Sequence, residues 1–187
     1  MSAAKKKTKP KSNPRSAPFW RNHLPEALIL LVLPFVLYGT SLGFDYVRDD
    51  KIVLTENSFV QQGFAGIADI FQTESFTGYL QGQQDLVAGA RYRPLSIATF
   101  AIEQELWGTN AALSHLLNIV FYMLTVLLLF RVLHQFIRVP DDRPWFRTIP
   151  FLPALLFLVH PVHTYVVATL KGRDEILALL LSLASLY

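Results

Sequence analysis

Residues 27–44 read ALILLVLPFVLYGTSLGF, and none of their side chains carries a charge. Residues 116–130, LLNIVFYMLTVLLLF, repeat the pattern, and two more apolar blocks cover 149–170 and 176–187. A helix crosses a bilayer with about 20 mostly apolar residues. A soluble domain would spread its apolar side chains at helix or strand periods instead of collecting them in blocks. The sequence therefore predicts an all-α integral membrane protein with about four transmembrane helices.

Charge is distributed unevenly around the first apolar block. Residues 1–22 carry seven basic and no acidic side chains, whereas residues 44–112 hold nine acidic and four basic ones. Lys and Arg collect on the cytoplasmic side of spanning helices. We therefore expect residues 1–22 to be a disordered cytoplasmic tail and residues 44–112 to be the first outer loop. The same alternation brings residues 160–175 to the outer face.

The first apolar block has two interpretations, a cleaved signal peptide or a retained anchor. Its apolar run is longer than a usual signal, and residues 39–43 make a poor cleavage site, so we favour the anchor. A basic tail beside an anchor favours a membrane role over nucleic-acid binding. We expect an integral protein of a bacterial inner (plasma) membrane with a cytoplasmic N-terminus. Since the chain has no cysteine, disulfides and thiolate metal sites are excluded.

The outer loop contains two predicted helices. Phe64, Ile67 and Phe71 recur at helical spacing, which indicates a short helix on the membrane surface. A second helix should begin at Pro94, a residue favoured in the first turn, and end near Gly108. The apolar face of this second helix would consist of Leu95, Ile102 and Leu106.

Asp49 and Asp50 form the first polar cluster, within FDYVRDDK at 44–51. Adjacent carboxylates repel each other, so one of them can hold its proton more tightly than usual. A carboxylate of this kind could accept a proton from a hydroxyl during group transfer. The alternative is a solvated acidic loop that only enforces the topology, and the residues alone leave both open.

Arg91 and Arg93 form the second cluster, on either side of Tyr92 and directly before Pro94. Arginine's planar fork binds phosphate oxygens in a bidentate way, so the pair suits a phosphate or diphosphate head group. The alternative is that the two side chains reach from the lipid to water at the bilayer interface. Both interpretations remain open.

The third cluster combines HPVHT at 160–164 with KGRDE at 171–175. His160 and His163 are three residues apart and would share one helix face, from which they could bind a metal or move protons. Polar residues at the end of a span are costly unless they line a cavity. The pattern therefore indicates a functional cavity, and we assign no metal ligands. Pro161 should break the third block here.

In this order the segments resemble the N-terminal part of membrane mannosyltransferase-like proteins that carry tetratricopeptide repeats. Those proteins are relatives of the protein O-mannosyltransferases and share the multi-span GT-C architecture. The resemblance covers nearly everything from residue 25 onward. The matching segments are 44–57 with its aspartate pair, RYRPLS at 91–96, WG at 107–108, HLLN at 115–118, HPVHT at 160–164 and GRDEIL at 172–177.

The resemblance implies transfer of a sugar from a polyprenyl-phosphate donor to a hydroxyl acceptor, such as a protein, on the outer or lumenal face. By that analogy Asp49, with Asp50 beside it, is the catalytic carboxylate. The analogy names no certain cofactor besides the lipid-linked sugar and leaves a divalent metal open. The residues expected to bind the substrate or its lipid phosphate are Arg91, Arg93, His160, His163, Arg173, Asp174 and Glu175.

Two departures from the family pattern matter. Many relatives have Glu after the His-Thr pair, where this chain has Tyr165. The family also has more than four spans, whereas the last apolar run here is still open at Tyr187. We therefore expect residues 23–187 to be a partial GT-C region, truncated at the C-terminus and inactive alone. The alternative function is a non-catalytic polytopic module, a transporter or assembly subunit, that binds a partner through its outer loop.

Overall fold

The computed structural model describes residues 19–80, 92–137 and 149–187, which contain helices and no strands. The α-helices are α1 (Phe19–Asn22), α2 (Leu24–Tyr38), α3 (Arg48–Val53), α4 (Ser58–Gln61), α5 (Ile67–Gln72), α6 (Thr77–Leu80), α7 (Pro94–Trp107), α8 (Ala111–Phe136), α9 (Phe151–Val159), α10 (His163–Ala168) and α11 (Arg173–Leu186). Short 3₁₀ turns cover Gly39–Gly43, Gly63–Gly66 and Leu170–Gly172. Most of the predicted basic tail, and Arg91, lie outside the described residues.

Two segments are long and apolar enough to cross a membrane, Leu24–Gly43 and Ala111–Phe136. They coincide with the first two apolar blocks of the sequence. The first consists of α2 and the 3₁₀ turn after it, and Pro34 lies inside α2 without ending it. The structure therefore shows the predicted all-helical class and two helices that could form the first two spans.

The third and fourth apolar blocks do not form helices of spanning length in the described residues. In the third block α9 ends at Val159, the backbone is extended at His160, and α10 begins at His163. Pro161 accounts for the break, because proline has no N–H and disfavours a helical residue before it. The prediction that His160 and His163 share one helix face was therefore wrong.

The predicted disordered tail also needs a correction at its end. Phe19–Asn22 is helical, and the Phe19 ring packs against the rings of Phe130 and His134 on α8, at centroid distances of 5.9 and 5.2 Å. Aromatic contacts of this kind contribute beyond simple burial, and they hold α1 on α8.

Helices α3, α4, α5 and α7 share an apolar core of their own, to which Leu170 also contributes. The predicted surface helix is present as the Gly63–Gly66 turn and α5, with Phe64 and Phe71 exposed. The second predicted helix also has its expected bounds, with Gly108 at φ 69° directly after it. Its apolar side chains Leu95, Ile102 and Leu106 are exposed, and the opposite face is buried. That buried face consists of Ser96, Ile97, Ala98, Phe100, Ala101 and Glu103.

Position 172 requires glycine because it leaves no room for a side chain. The backbone angle is not the reason, since any residue can adopt its φ of −65°. A Cβ at this position would collide with the backbone carbonyl of Val166. We expect Gly172→Ala to lower the free energy of unfolding by about 1–3 kcal/mol, the usual cost of overpacking. Thermal denaturation in detergent measures it. Gly39→Ala is the control, since nothing lies within 4 Å of its added methyl group; equal stability of the two variants would contradict the close approach.

Candidate functional site

Side chains from the second and third polar clusters line a cavity of about 210 Å³, and the first cluster bonds to one of them. Arg93 comes from the second cluster, and Lys171 and Asp174 come from the third. Asp49 and Asp50 of the first cluster bond to Lys171 at its edge. The segments that the predicted topology brings to one face are thus joined in one site. The remaining lining residues are Val53, Ser75, Phe76, Ser96, Ile97 and Phe100.

Asp50 is fully buried and connects the first cluster to the third. Its Oδ1 accepts a hydrogen bond from the Lys171 backbone N–H at 2.9 Å, and its Oδ2 accepts one from the Val47 N–H at 3.3 Å. Burial raises the pKa of the Asp50 carboxyl, and the backbone bonds oppose that rise. Asp50 is therefore a structural connection between α3 and the turn before α11.

Asp49 has a different environment from its neighbour. Its side chain is 46% exposed, and its Oδ2 lies 3.1 Å from the Lys171 Nζ. An exposed carboxylate held by one ammonium group can meet a ligand, whereas the buried Asp50 cannot. Of the two predicted catalytic carboxylates, the geometry favours Asp49 for contact with a substrate.

Arg93 stands at the start of α7, where its backbone N–H donates to the Ser75 Oγ at 2.9 Å. Its guanidinium forms an ion pair with Asp174 and lies 3.6 Å from the Glu175 Oε1. Pro94 follows in the first helical turn and fixes the backbone there. Arg93 thus faces the cavity with its charge already paired.

Arg173 has no exposed surface, and Phe100 packs against its guanidinium at 4.0 Å. The predicted role of Arg173 in holding a lipid phosphate requires an accessible guanidinium. In this structure the side chain is instead an internal anchor between α7, α8 and α11. Its hydrogen bonds go to the carboxylate of Glu103, to Asn118 Oδ1 at 2.7 Å, to Thr99 Oγ1 at 3.0 Å and to the Ser114 carbonyl at 3.0 Å.

His160 and His163 lie apart from this cavity. The His163 ring contacts those of Phe157 and Tyr122, at 4.2 and 5.7 Å, and lines a separate cavity of about 310 Å³. His160 is exposed, and its Nδ1 accepts a hydrogen bond from the Val162 N–H at 3.2 Å. Among the described residues no group of three or more His, Asp or Glu side chains is arranged to hold a metal ion.

An apolar groove adjoins the polar cavity. It has a volume of about 290 Å³ and shares Arg93, Ser96 and Asp174 with the cavity. From there it follows α7 and α11 along apolar side chains that include Leu95 and Leu181. A charged compartment beside an apolar groove suits a ligand with a polar head and an apolar chain.

Sequence reasoning missed Lys171 and Glu103 as contributors to the site. Lys171 had no distinguishing signal beyond its place in the KGRDE segment. Glu103 did have one, because an acid in a largely apolar helix beside a membrane needs a paired partner. That partner is Arg173, which lies 70 residues further along the chain.

Most of this chain is similar in sequence to curated proteins. It is 35% identical over 159 residues to protein O-mannosyl-transferase TMTC1 of Homo sapiens, which is 84% of this chain and 17% of that protein. It is 31% identical over 159 residues to protein O-mannosyl-transferase F38B6.6 of Caenorhabditis elegans, which is 85% of this chain and 22% of that protein. Protein O-mannosyl-transferase TMTC4 of Homo sapiens is 29% identical over 175 residues, which is 90% of this chain and 22% of that protein.

The chain spans about a fifth of the length of these relatives. No family model matches it, and no solved structure matches significantly. The chain is nevertheless a relative of the protein O-mannosyl-transferases, and the family resemblance that its motifs indicate is confirmed.

Proposed function

We propose that the chain forms part of a membrane glycosyltransferase that moves a sugar from a polyprenyl-phosphate donor to a hydroxyl acceptor such as a protein. The observation that carries the proposal is the polar cavity whose Arg93 and Asp174 also border an apolar groove. A lipid phosphate would bind with its head beside Arg93 and its chain along α7 and α11. The names of the relatives support transfer of a sugar.

The proposed reaction uses Asp49 as the base. The acceptor hydroxyl loses its proton to the Asp49 carboxylate while its oxygen forms a bond to the anomeric carbon of the sugar. The bond from that carbon to the phosphate oxygen breaks, and the lipid phosphate leaves with the electron pair. Arg93 and Lys171 stabilise the negative charge on the leaving group. Asp50 positions Lys171 through its backbone bond.

The proposal includes a cytoplasmic N-terminus and a site on the opposite, outer or lumenal, face. The seven basic residues among 1–22 and the excess of acids over 44–112 support this orientation. The first candidate span connects the two segments. A lipid-linked sugar and a hydroxyl acceptor would then meet on the side where Asp49 lies.

Arg93→Ala is expected to weaken binding of a C10 isoprenyl monophosphate to the full chain in detergent. Loss of a charged hydrogen-bonding group corresponds to about a tenfold to hundredfold increase in Kd. Isothermal titration calorimetry measures the binding. Arg131→Ala is the matched control, because Arg131 lies over the Phe19 ring and does not line the cavity. An unchanged Kd for Arg93→Ala would favour the non-catalytic membrane module instead.

A further inference from the structure

Among the described residues that line the cavity, both cations, Arg93 and Lys171, are paired with a carboxylate. Arg93 pairs with Asp174 and lies close to Glu175, and Lys171 pairs with Asp49. A site with free cations would attract a phosphate at full strength. Here an arriving phosphate meets guanidinium and ammonium groups that already have anionic partners, so it has to compete with them.

Asp174, the carboxylate paired with Arg93, is positioned for displacement by a phosphate. Its side chain is 13% exposed and that of Arg93 is 30% exposed, so water screens their attraction less than it screens a surface pair. One Asp174 oxygen, Oδ1, accepts the Glu175 backbone N–H at 2.7 Å, and the other, Oδ2, faces Arg93. Both Arg93 and Asp174 line the cavity and the groove.

We propose that Asp174 is an anionic placeholder, which occupies Arg93 while the cavity is empty and gives way to the phosphate of the lipid donor. This inference rests on the proposed function and adds a residue that sets the affinity for the phosphate. The carboxylate and the phosphate compete for one guanidinium. Asp174 therefore lowers the affinity for the donor and also helps the lipid phosphate to leave after transfer.

The placeholder role predicts the opposite result from a direct binding role. If Asp174 binds the substrate, as the family resemblance implies, its loss weakens binding. If it holds the place of the phosphate, its loss strengthens binding. Asp174→Asn separates the two, because its carbonyl oxygen can keep the bond from the Glu175 N–H. Its NH₂ group then faces Arg93, with which it cannot form an ion pair.

The experiment measures binding of three probes to the full chain in detergent: a C10 isoprenyl monophosphate, the C10 isoprenol without phosphate, and inorganic phosphate. Asp174→Asn is expected to bind the isoprenyl phosphate about threefold to tenfold more tightly, the range for loss of a partly exposed ion pair. Binding of the isoprenol should not change. Asp69→Asn makes the same change in net charge at an exposed position of α5 and should leave every Kd unchanged.

Four outcomes would overturn the inference. Equal or weaker isoprenyl phosphate binding by Asp174→Asn, while Arg93→Ala still weakens it, removes the placeholder and leaves the phosphate site intact. If the Arg93→Ala/Asp174→Asn double variant binds the isoprenyl phosphate more tightly than Arg93→Ala by the same factor, the effect of Asp174 does not depend on Arg93. If Asp174→Asn binds only inorganic phosphate more tightly, and not the isoprenyl phosphate, the site is one for free anions. No effect of Arg93→Ala on any probe overturns the phosphate site and the proposed function with it.

Discussion

Glu103→Ala is expected to lower the free energy of unfolding by about 3–5 kcal/mol, the usual cost of removing one partner from a buried ion pair. The carboxylate accepts hydrogen bonds from Arg173 and, at 2.5 Å, from the Ser114 hydroxyl. Arg173 has no exposed surface, so its charge would stay buried without its partner. The loss should appear as a lower thermal or denaturant midpoint in detergent.

Glu105→Ala is the matched control on the same helix. Glu105 is exposed and accepts one hydrogen bond, from the Phe64 N–H at 3.3 Å, so its loss should cost about 1 kcal/mol or less. The double variant Glu103→Leu/Arg173→Leu should recover much of the lost stability, because it removes both charges together. Equal stability of Glu103→Ala and Glu105→Ala would contradict the anchor role of Arg173.

Asp49→Asn should reduce sugar transfer by the natural gene product, in its own membrane, by about 10²–10⁴-fold, the usual contribution of a general base. The amide cannot accept the acceptor's proton. Because the side chain is 46% exposed and bonds to Lys171 alone among the described side chains, folding and membrane insertion should persist. A radiolabelled sugar-transfer assay, with thermal denaturation of the same preparation, measures both quantities.

Two neighbouring aspartates serve as controls for that result. Asp45→Asn changes the charge of the same loop at an exposed position and should keep normal transfer. Asp50→Asn should instead lower the thermal midpoint, because an amide cannot accept both backbone N–H bonds. Normal turnover by Asp49→Asn would remove Asp49 from the proposed reaction, whatever the other two variants do.

The sequence predicted the features that depend on neighbouring residues. The bounds of α7, from Pro94 to the residue before Gly108, follow from turn and cap preferences. The two candidate spans coincide with apolar blocks of sufficient length. Charge asymmetry, which acts over whole loops, predicts that the polar clusters share one face of the membrane, and that face stays a prediction. The structure does bring Asp49, Asp50 and Lys171 together. These signals lie in short stretches of chain or in their summed charge.

Side-chain partners that are far apart in sequence were not predictable in the same way. Arg173 was expected at the phosphate, yet its partner Glu103 is 70 residues away and turns it inward. The shared helix face expected for His160 and His163 conflicted with the break expected at Pro161, and the structure has the break. The direction of the Arg173 side chain depends on packing between elements, which a one-dimensional pattern does not contain.

The bond between Asp50 and the Lys171 backbone has a consequence for biosynthesis. The two residues are 121 positions apart, so Asp50 leaves the ribosome well before Lys171 is synthesised. Until then the carboxylate must remain in water or hold a proton, since burial without its donor is costly. Helix α3 can therefore reach its final position only after the turn before α11 has been synthesised. This contact therefore closes late in synthesis, after α1 to α10 have been made.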